Sequence, residues 1–347
     1  MKISDGLSTK KFELPGSRTH YAPSLLFTIS NMRLSVEPDF SSKTISCNQE
    51  LEIIAIQDID EIALDISELH IKSVFFVTYG YASTTATTAA NNTPFTRKNL
   101  DFHNYDDKLH IELGKLITER TVFHINIIYS AKPRKGFYFV EPDEYYPNKN
   151  LQAWTQGETV ESKYWFPCID HPIVKFGSQV SVAVPMNFIA ISNGVLQGIK
   201  VQKQIENELN CKNNKNDKKR IFTWIESNPH SAYLTSIVIG KFAEIRRTYN
   251  KQIKLLYYVP QDKKNDAIRS FEHTADMIKF FEQYFGTRYP YNKYSQVTVE
   301  DFMYGGMENS SCTTLTVDTL HDKKAHLDFT SNHLVSHELL INGLGTW

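Results

Sequence analysis

Alternation of apolar and polar residues recurs through residues 21–245 and constrains the fold more than any other feature of the sequence. In MRLSVEP, Met32, Leu34 and Val36 alternate with polar neighbours, as expected of a strand with one buried face. ISCNQELEIIAI, HIELGKLI, TVFHINIIYS and KFGSQVSVAVP continue the pattern, and turn residues such as Asn193-Gly194 separate the segments. Because no long helical period lies between these strands, residues 21–245 are predicted to form a mainly β domain, a sheet or a sandwich.

The pattern changes after Tyr249. KLLYYVP is one more predicted strand, and DAIRSFEHTADMIKFFEQYFG is predicted to form one helix that ends at Gly286. YSQVTVEDF and TTLTV predict further strands, and a second helix is expected to begin after Thr330 or Ser331. Residues 246–347 are therefore predicted to be the first part of an α+β domain. The apolar positions assigned to the first helix are Ile268, Phe271, Ala275, Ile278, Phe281 and Phe285.

Charge and cysteine content exclude several classes of function. The 347 residues include 38 basic and 39 acidic residues, a net charge of -1, so neither nucleic acid nor a membrane surface is expected as a partner. Residues 1–20, interpreted as an N-terminal extension, lack the apolar core of a secretory signal, and no apolar run predicts a spanning helix. The 4 cysteines form no C-x-x-C pair, which favours reduced thiols and a cytoplasmic location. The oligomeric state is left open.

Two polar stretches interrupt the β pattern. Residues 83–94 are of low complexity, and residues 203–220 are strongly polar and basic. The second stretch is either a binding loop or a solvated insertion, and composition favours the insertion.

The stretch GGMEN, Gly305–Asn309, follows a predicted strand. Its two glycines would let another backbone approach closely, as a bound extended peptide requires, and Glu308 could hold a cationic amine. The simpler interpretation is a Gly-Gly turn followed by a charged residue, and the residues alone favour it.

His337-Glu338 begins an H-E-x-x-H pattern. On a helix, that spacing lets two histidines bind one zinc ion, with the glutamate beside the metal-bound water. Ile341 occupies the position of the second histidine. His333 and His337 are also four residues apart, but no third metal ligand is evident nearby. Cys168 has no visible activating base and is interpreted as a buried thiol.

In this order, the motifs resemble those of the aminopeptidase N family of zinc metallopeptidases. TQGE occupies Thr155–Glu158, FPCIDHP occupies Phe166–Pro172, and GGMEN and His337-Glu338 follow. The resemblance extends from about Tyr21 to Leu339. It implies a β-saddle N-terminal domain (21–245) followed by an incomplete, thermolysin-like α+β catalytic domain (246–347).

The resemblance also implies roles in removing N-terminal residues from peptides. Glu308 would bind the substrate's free α-amine, and Glu158 would help to hold the same amine. The neighbouring residues of the motif would hold the substrate backbone; they are Gly305, Gly306, Met307 and Asn309. His337 would be the first zinc ligand, and Glu338 would be the general base that deprotonates zinc-bound water.

This chain departs from the family pattern at the zinc site. Ile341 cannot coordinate a metal, and the family's downstream glutamate ligand and oxyanion-stabilising tyrosine lie beyond Trp347. We therefore expect this chain to be an inactive fragment of a zinc aminopeptidase. The alternative is a non-catalytic scaffold that keeps the peptidase fold.

The last eight residues, LINGLGTW, suggest how the departure arose. They can be back-translated so that putting back one lost base at codon 340 restores H-Q-W-F-G, which resembles the family sequence after H-E-L. The hypothesis is that a single-base deletion, natural or from sequencing, converts an intact motif into Leu340–Trp347 and a premature stop.

Overall fold

The computed structural model describes residues 23–80, 95–202 and 218–344. The predicted N-terminal extension, residues 83–94 and most of residues 203–220 lie outside these ranges, as do residues 345–347. In the described part of the chain, no helix combines the length and the apolar character needed to cross a bilayer.

An eight-stranded sheet is the largest layer of the N-terminal region. In spatial order its strands are β13 (Val195–Gln202), β14 (Lys219–Ser231), β11 (Lys175–Pro185), β1 (Phe27–Asp39), β2 (Thr44–Ala55), β8 (Val122–Ala131), β4 (Leu69–Tyr79) and β5 (Phe95–Asn99). In β1, Met32, Leu34 and Val36 are buried and their neighbours are exposed, which confirms the predicted alternation. Strand β1 pairs antiparallel with β2 but parallel with β11.

Two smaller sheets complete this region. One contains β3 (Ile59–Asp65), β7 (Lys108–Ile117) and β6 (Phe102–Tyr105). The other has the spatial order β12 (Ile189–Ser192), β15 (Ile237–Gly240), β10 (Gln152–Thr155) and β9 (Phe137–Val140). TQGE begins at the end of β10, so the second of these sheets positions Glu158.

A five-stranded sheet begins the second region. Its spatial order is β16 (Ala243–Tyr249), β17 (Ile253–Val259), β18 (Lys293–Val299), β20 (Cys312–Thr316) and β19 (Gly306–Met307). Strand β16 begins at Ala243, just before the proposed domain boundary at residue 246. Some side chains of this sheet, including Val297 and Met307, join the N-terminal core, whereas Leu255 and Leu315 pack with the helices. The sheet therefore lies between the N-terminal region and the helical layer.

The stretch predicted as one helix forms two. Helix α1 spans Lys264–Ser270 and α2 spans Thr274–Phe285, and Phe271 caps the first. The break follows from side-chain bonds: the Thr274 hydroxyl donates to the Phe271 carbonyl (3.0 Å), and Ser270 is hydrogen-bonded to His321. Gly286 ends α2 with a φ of 68°, as predicted.

The predicted core positions of this stretch are only partly correct. Phe271 and Ile278 are buried, whereas Ile268 and Phe285 are each 37% exposed. The prediction assumed one continuous helix. Because the helix is interrupted between α1 and α2, the apolar residues on the two sides of the break do not all face the sheet.

Helix α3 spans Asn332–Leu344 and contains His337-Glu338. It begins directly after Ser331, as predicted, and Val335 and Leu339 are buried against the five-stranded sheet. A mainly β N-terminal domain followed by a smaller region of strands and helices confirms the fold class predicted from the sequence.

Candidate active site

Strand β19 and helix α3 are in close contact at Gly306. A Cβ atom added to Gly306 would lie 2.5 Å from both Cδ and Oε1 of Glu338. Only a glycine lets the strand approach the carboxylate this closely. GGMEN and His337-Glu338, far apart in sequence, therefore form one site.

GGMEN provides an edge strand rather than a simple turn. Gly306 pairs with Leu315 and Met307 with Thr314 of β20, and β19 is the last strand of its sheet in the described ranges. Gly305 is exposed, whereas Met307 and Asn309 are buried. The arrangement leaves a short strand edge beside the Glu338 carboxylate.

TQGE reaches the same place from the N-terminal region. The Gln156 side-chain amide donates to the sulfur of Met307 (3.2 Å), which joins the two motifs directly. Gly157 packs against the backbone of Tyr233, since an added Cβ would lie 2.6 Å from the Tyr233 carbonyl oxygen. Glu158 follows at the exposed end of this turn.

Electrostatic coupling shows that three carboxylates converge. Burial, with smaller contributions from Glu308 and Glu158, raises the pKa of Glu338 to about 7. Burial also raises the pKa of Glu308, with Glu158 adding to the effect and His337 opposing it. Burial raises the pKa of the Tyr233 hydroxyl, and Glu308 and Glu158 contribute again. The site therefore carries closely spaced negative charge.

Asn342 connects α3 to the backbone of GGMEN. Its side-chain nitrogen donates to the carbonyl oxygens of Glu308 (3.0 Å) and Asn309 (2.6 Å). Its side-chain oxygen accepts the Tyr289 hydroxyl at 2.7 Å. Sequence reasoning missed both Asn342 and Tyr233, because neither belongs to a motif and each acts across a long sequence separation.

The metal-binding half of the predicted site is incomplete. His337 is exposed on α3, and Ile341, one turn further on, offers no donor atom. Across residues 23–80, 95–202 and 218–344, no group of three or more His, Cys, Asp or Glu side chains is arranged to hold a metal ion. The residues present therefore do not fit a catalytic zinc ion, for which three protein ligands are usual.

FPCIDHP contributes residues to the hydrophobic core of the N-terminal region. Trp165 and Phe166 are fully buried, and the Cys168 thiol is buried and unpaired. Burial raises the pKa of that thiol well above its ordinary value, which agrees with the interpretation of Cys168 as an inert core residue.

Comparison with known proteins finds matches to two domains of one peptidase family. The family described as the peptidase M1 N-terminal domain matches residues 18–234, and the peptidase family M1 domain matches residues 269–345. The chain is 24% identical over 314 residues to aminopeptidase M1 of Arabidopsis thaliana, covering 88% of this chain and 33% of that protein.

Two further relatives are animal proteins. The chain is 25% identical to puromycin-sensitive aminopeptidase of Caenorhabditis elegans, over 60% of this chain and 21% of that protein. It is 30% identical to glutamyl aminopeptidase of Rattus norvegicus, again over 60% of this chain and 21% of the relative. The chain thus spans about a third or less of the length of these relatives. With the first domain match covering more than half of its residues, this chain belongs to the M1 family of peptidases.

Proposed function

We propose that Glu158 and Glu308, beside Glu338, form a site for the free N-terminal amine of a peptide. In this proposal the chain derives from a zinc metallo-aminopeptidase, which releases N-terminal residues by zinc-assisted hydrolysis. The relatives named aminopeptidases support the reaction class.

The observation that carries the proposal is the unbalanced negative charge of the site. Glu308 and Glu158 both raise the pKa of Glu338, and Glu158 also raises that of Glu308, which His337 and a backbone hydrogen bond lower. A primary ammonium group would relieve this repulsion and receive charge-assisted hydrogen bonds. A peptide with a blocked N-terminus would bring no such charge.

The edge strand supports a peptide as the ligand. A substrate backbone could add to β19 by main-chain hydrogen bonds, with the glycines giving it room. In the proposal, Gly305, Gly306, Met307 and Asn309 hold this backbone, while Glu308 fixes the terminus. Such an arrangement would select exopeptidase substrates over internal segments.

Zinc is the cofactor that the family relationship implies, but the donor set here does not fit it. His337 would be one ligand and Glu338 the general base, and Ile341 leaves the second ligand position without a donor atom. We therefore propose that this chain binds peptide N-termini without hydrolysing them. The proposed origin of Ile341 is a single-base deletion at codon 340; sequencing the gene tests it, and it fails if the neighbouring frame does not encode H-Q-W-F-G.

The amine site can be tested without catalysis. L-leucinamide, which has a free α-amine, should bind to the purified chain, and N-acetyl-leucinamide should bind at least tenfold more weakly. Glu308→Gln removes one charge at nearly constant volume and should abolish the difference. Equal affinities for the two compounds in the unaltered chain would refute the proposal.

A scaffold without enzymatic activity is the alternative function. Stable capture of one partner protein, together with no preference for leucinamide, would favour it. We further propose a cytoplasmic location and peptides, rather than nucleic acids or membranes, as partners.

A further inference from the structure

The two carboxylates proposed to hold the amine come from different sheets. Glu158 follows β10 of the four-stranded sheet, and Glu308 follows β19 of the five-stranded sheet. Their separation is therefore set by contacts between the two sheets. We propose that the turn Ser192–Gly194 sets this separation and that Asn193 is its positioning residue, an inference that rests on the proposed amine site.

Asn193 bridges the two sheets with its whole side-chain amide. The nitrogen donates to the carbonyl oxygens of Leu234 (2.9 Å) and Ser310 (2.7 Å), and the oxygen accepts the Ser236 amide at 2.7 Å. Asn193 is 1% exposed, so water cannot replace these bonds. Leu234 and Ser236 lie beside β15, whereas Ser310 is two residues after Glu308. One side chain thus fixes the end of GGMEN to the sheet that carries TQGE.

Ser311 makes the reciprocal contact from the second region. Its hydroxyl accepts the Gly194 amide (2.7 Å) and donates to a carboxylate oxygen of Glu226 (3.0 Å). Gly194 has a φ of 74°, and an added Cβ would lie 1.9 Å from the Ile225 carbonyl oxygen. Only glycine fits there, so the turn has a fixed shape.

Lys293, in the five-stranded sheet, also contacts the turn Ser192–Gly194. Its ammonium group donates to the Ser192 carbonyl oxygen at 2.6 Å and lies 4.5 Å from the ring centroid of Trp224. Lys293 is 2% exposed, and burial lowers the pKa of its amine. A buried lysine is tolerated only where its donors are satisfied. Because β18 carries Lys293 and pairs with β20, this contact joins the turn to the centre of the five-stranded sheet.

These hydrogen bonds tie the turn Ser192–Gly194 to residues of the second region. None of the three side chains, Asn193, Ser311 and Lys293, belongs to a recognised motif. Hydrogen bonds in a buried network restrict one another, so the loss of one changes the geometry of the rest. An error of about 1 Å in the position of a binding group is enough to weaken its function severely. The expected consequence of breaking the network is a displaced GGMEN segment in a folded protein.

The chain offers a matched pair of variants. Asn193→Asp keeps the shape and the acceptor oxygen, but it replaces the nitrogen that donates to two carbonyl oxygens with a second acceptor oxygen. Asn126 is 2% exposed and its nitrogen also donates twice, to Asn48 (2.6 Å) and to the Gln49 carbonyl oxygen (3.0 Å), within the eight-stranded sheet. Asn126→Asp therefore removes the same number of buried bonds away from the site.

Two methionines can report separately on the candidate site and on the eight-stranded sheet. Met307 accepts from Gln156 at 3.2 Å across the sheets, and Met32 accepts from Gln49 at 3.3 Å. In the full chain labelled with methyl-13C methionine, Asn193→Asp should shift or broaden the Met307 methyl signal and leave that of Met32 unchanged. Asn126→Asp should do the reverse. An unchanged Met307 signal in Asn193→Asp would overturn the inference, whatever the protein binds.

Ligand binding then tests the consequence. Asn193→Asp should weaken binding of L-leucinamide at least tenfold, whereas Asn126→Asp should retain the affinity of the unaltered chain. If Asn193→Asp does not fold, Ser311→Ala, which removes the hydroxyl bonds to Gly194 and Glu226, must show the same selective Met307 shift and a smaller loss of affinity. If Glu308→Gln leaves leucinamide binding intact, the amine site is wrong, and the Met307 signal still decides the positioning role.

Discussion

Gly306→Ala is the substitution whose effect follows most directly from the structure. The added Cβ would lie 2.5 Å from Cδ, 2.5 Å from Oε1 and 2.6 Å from Cγ of Glu338. Glu338 is 4% exposed, so its side chain cannot swing into solvent without moving α3. Overpacking of this kind costs about 1–3 kcal/mol. At ~2–4 °C per kcal/mol for a domain of this size, the melting temperature should fall by several degrees.

The assay is a double-mutant cycle read by thermal unfolding. Glu338→Ala removes all three atoms in the overlap, so Gly306→Ala in that background should cost less than about 0.5 kcal/mol. Gly305→Ala is the matched control, because its nearest neighbour is a Leu334 methyl group at 3.1 Å. An equal loss of stability in both backgrounds would refute the contact between Gly306 and Glu338 as its cause.

Three further outcomes are expected. Burial lowers the pKa of His230 to about 4. Because the unfolded chain then takes up a proton at a higher pH than the folded chain, the free energy of unfolding should fall by about 3 kcal/mol as the pH drops from 7 to 4. Urea titrations of His230→Gln should show a fall that is smaller by this amount. The purified chain should contain less than stoichiometric zinc and show no hydrolysis of aminoacyl-arylamides, and Ile341→His should raise zinc affinity without turnover; turnover by the unaltered chain would contradict this. Burial raises the pKa of Cys47 to about 12, so Cys47 and Cys168 should resist alkylation until the chain unfolds, as peptide mapping would reveal.

The strands were predictable from the sequence because their signal is local. The alternation in β1 and β2 has a period of two residues, and the structure buries the predicted faces. Pairing carries no such signal. Nothing in the alternation distinguishes the antiparallel partner of β1 from its parallel partner β11, which lies far along the chain.

In the candidate site too, local sequence features were predictable and long-range contacts were not. GGMEN, TQGE and His337-Glu338 are short motifs with a recognisable order, so their residues could be named in advance. Asn193 and Asn342 could not, because a buried amide bonded to distant carbonyl oxygens looks in sequence like any other asparagine. The break between α1 and α2 was missed because a hydroxyl bond at Thr274 outweighed helical periodicity.

The last turns of α3 separate the packing of the helix from its chemistry. Val335 and Leu339, which hold the helix against the sheet, both precede codon 340. After it, Asn342 is satisfied by GGMEN carbonyl oxygens, whereas Ile341 leaves the ligand position empty of donor atoms. A change of reading frame after Leu339 would therefore leave α3 docked and Glu338 beside Gly306. The proposed amine site uses Glu158 and Glu308, which precede codon 340, whereas the implied zinc site has His337 before codon 340 but no donor atom at Ile341. On that proposal the chain loses hydrolysis and keeps recognition of a peptide N-terminus.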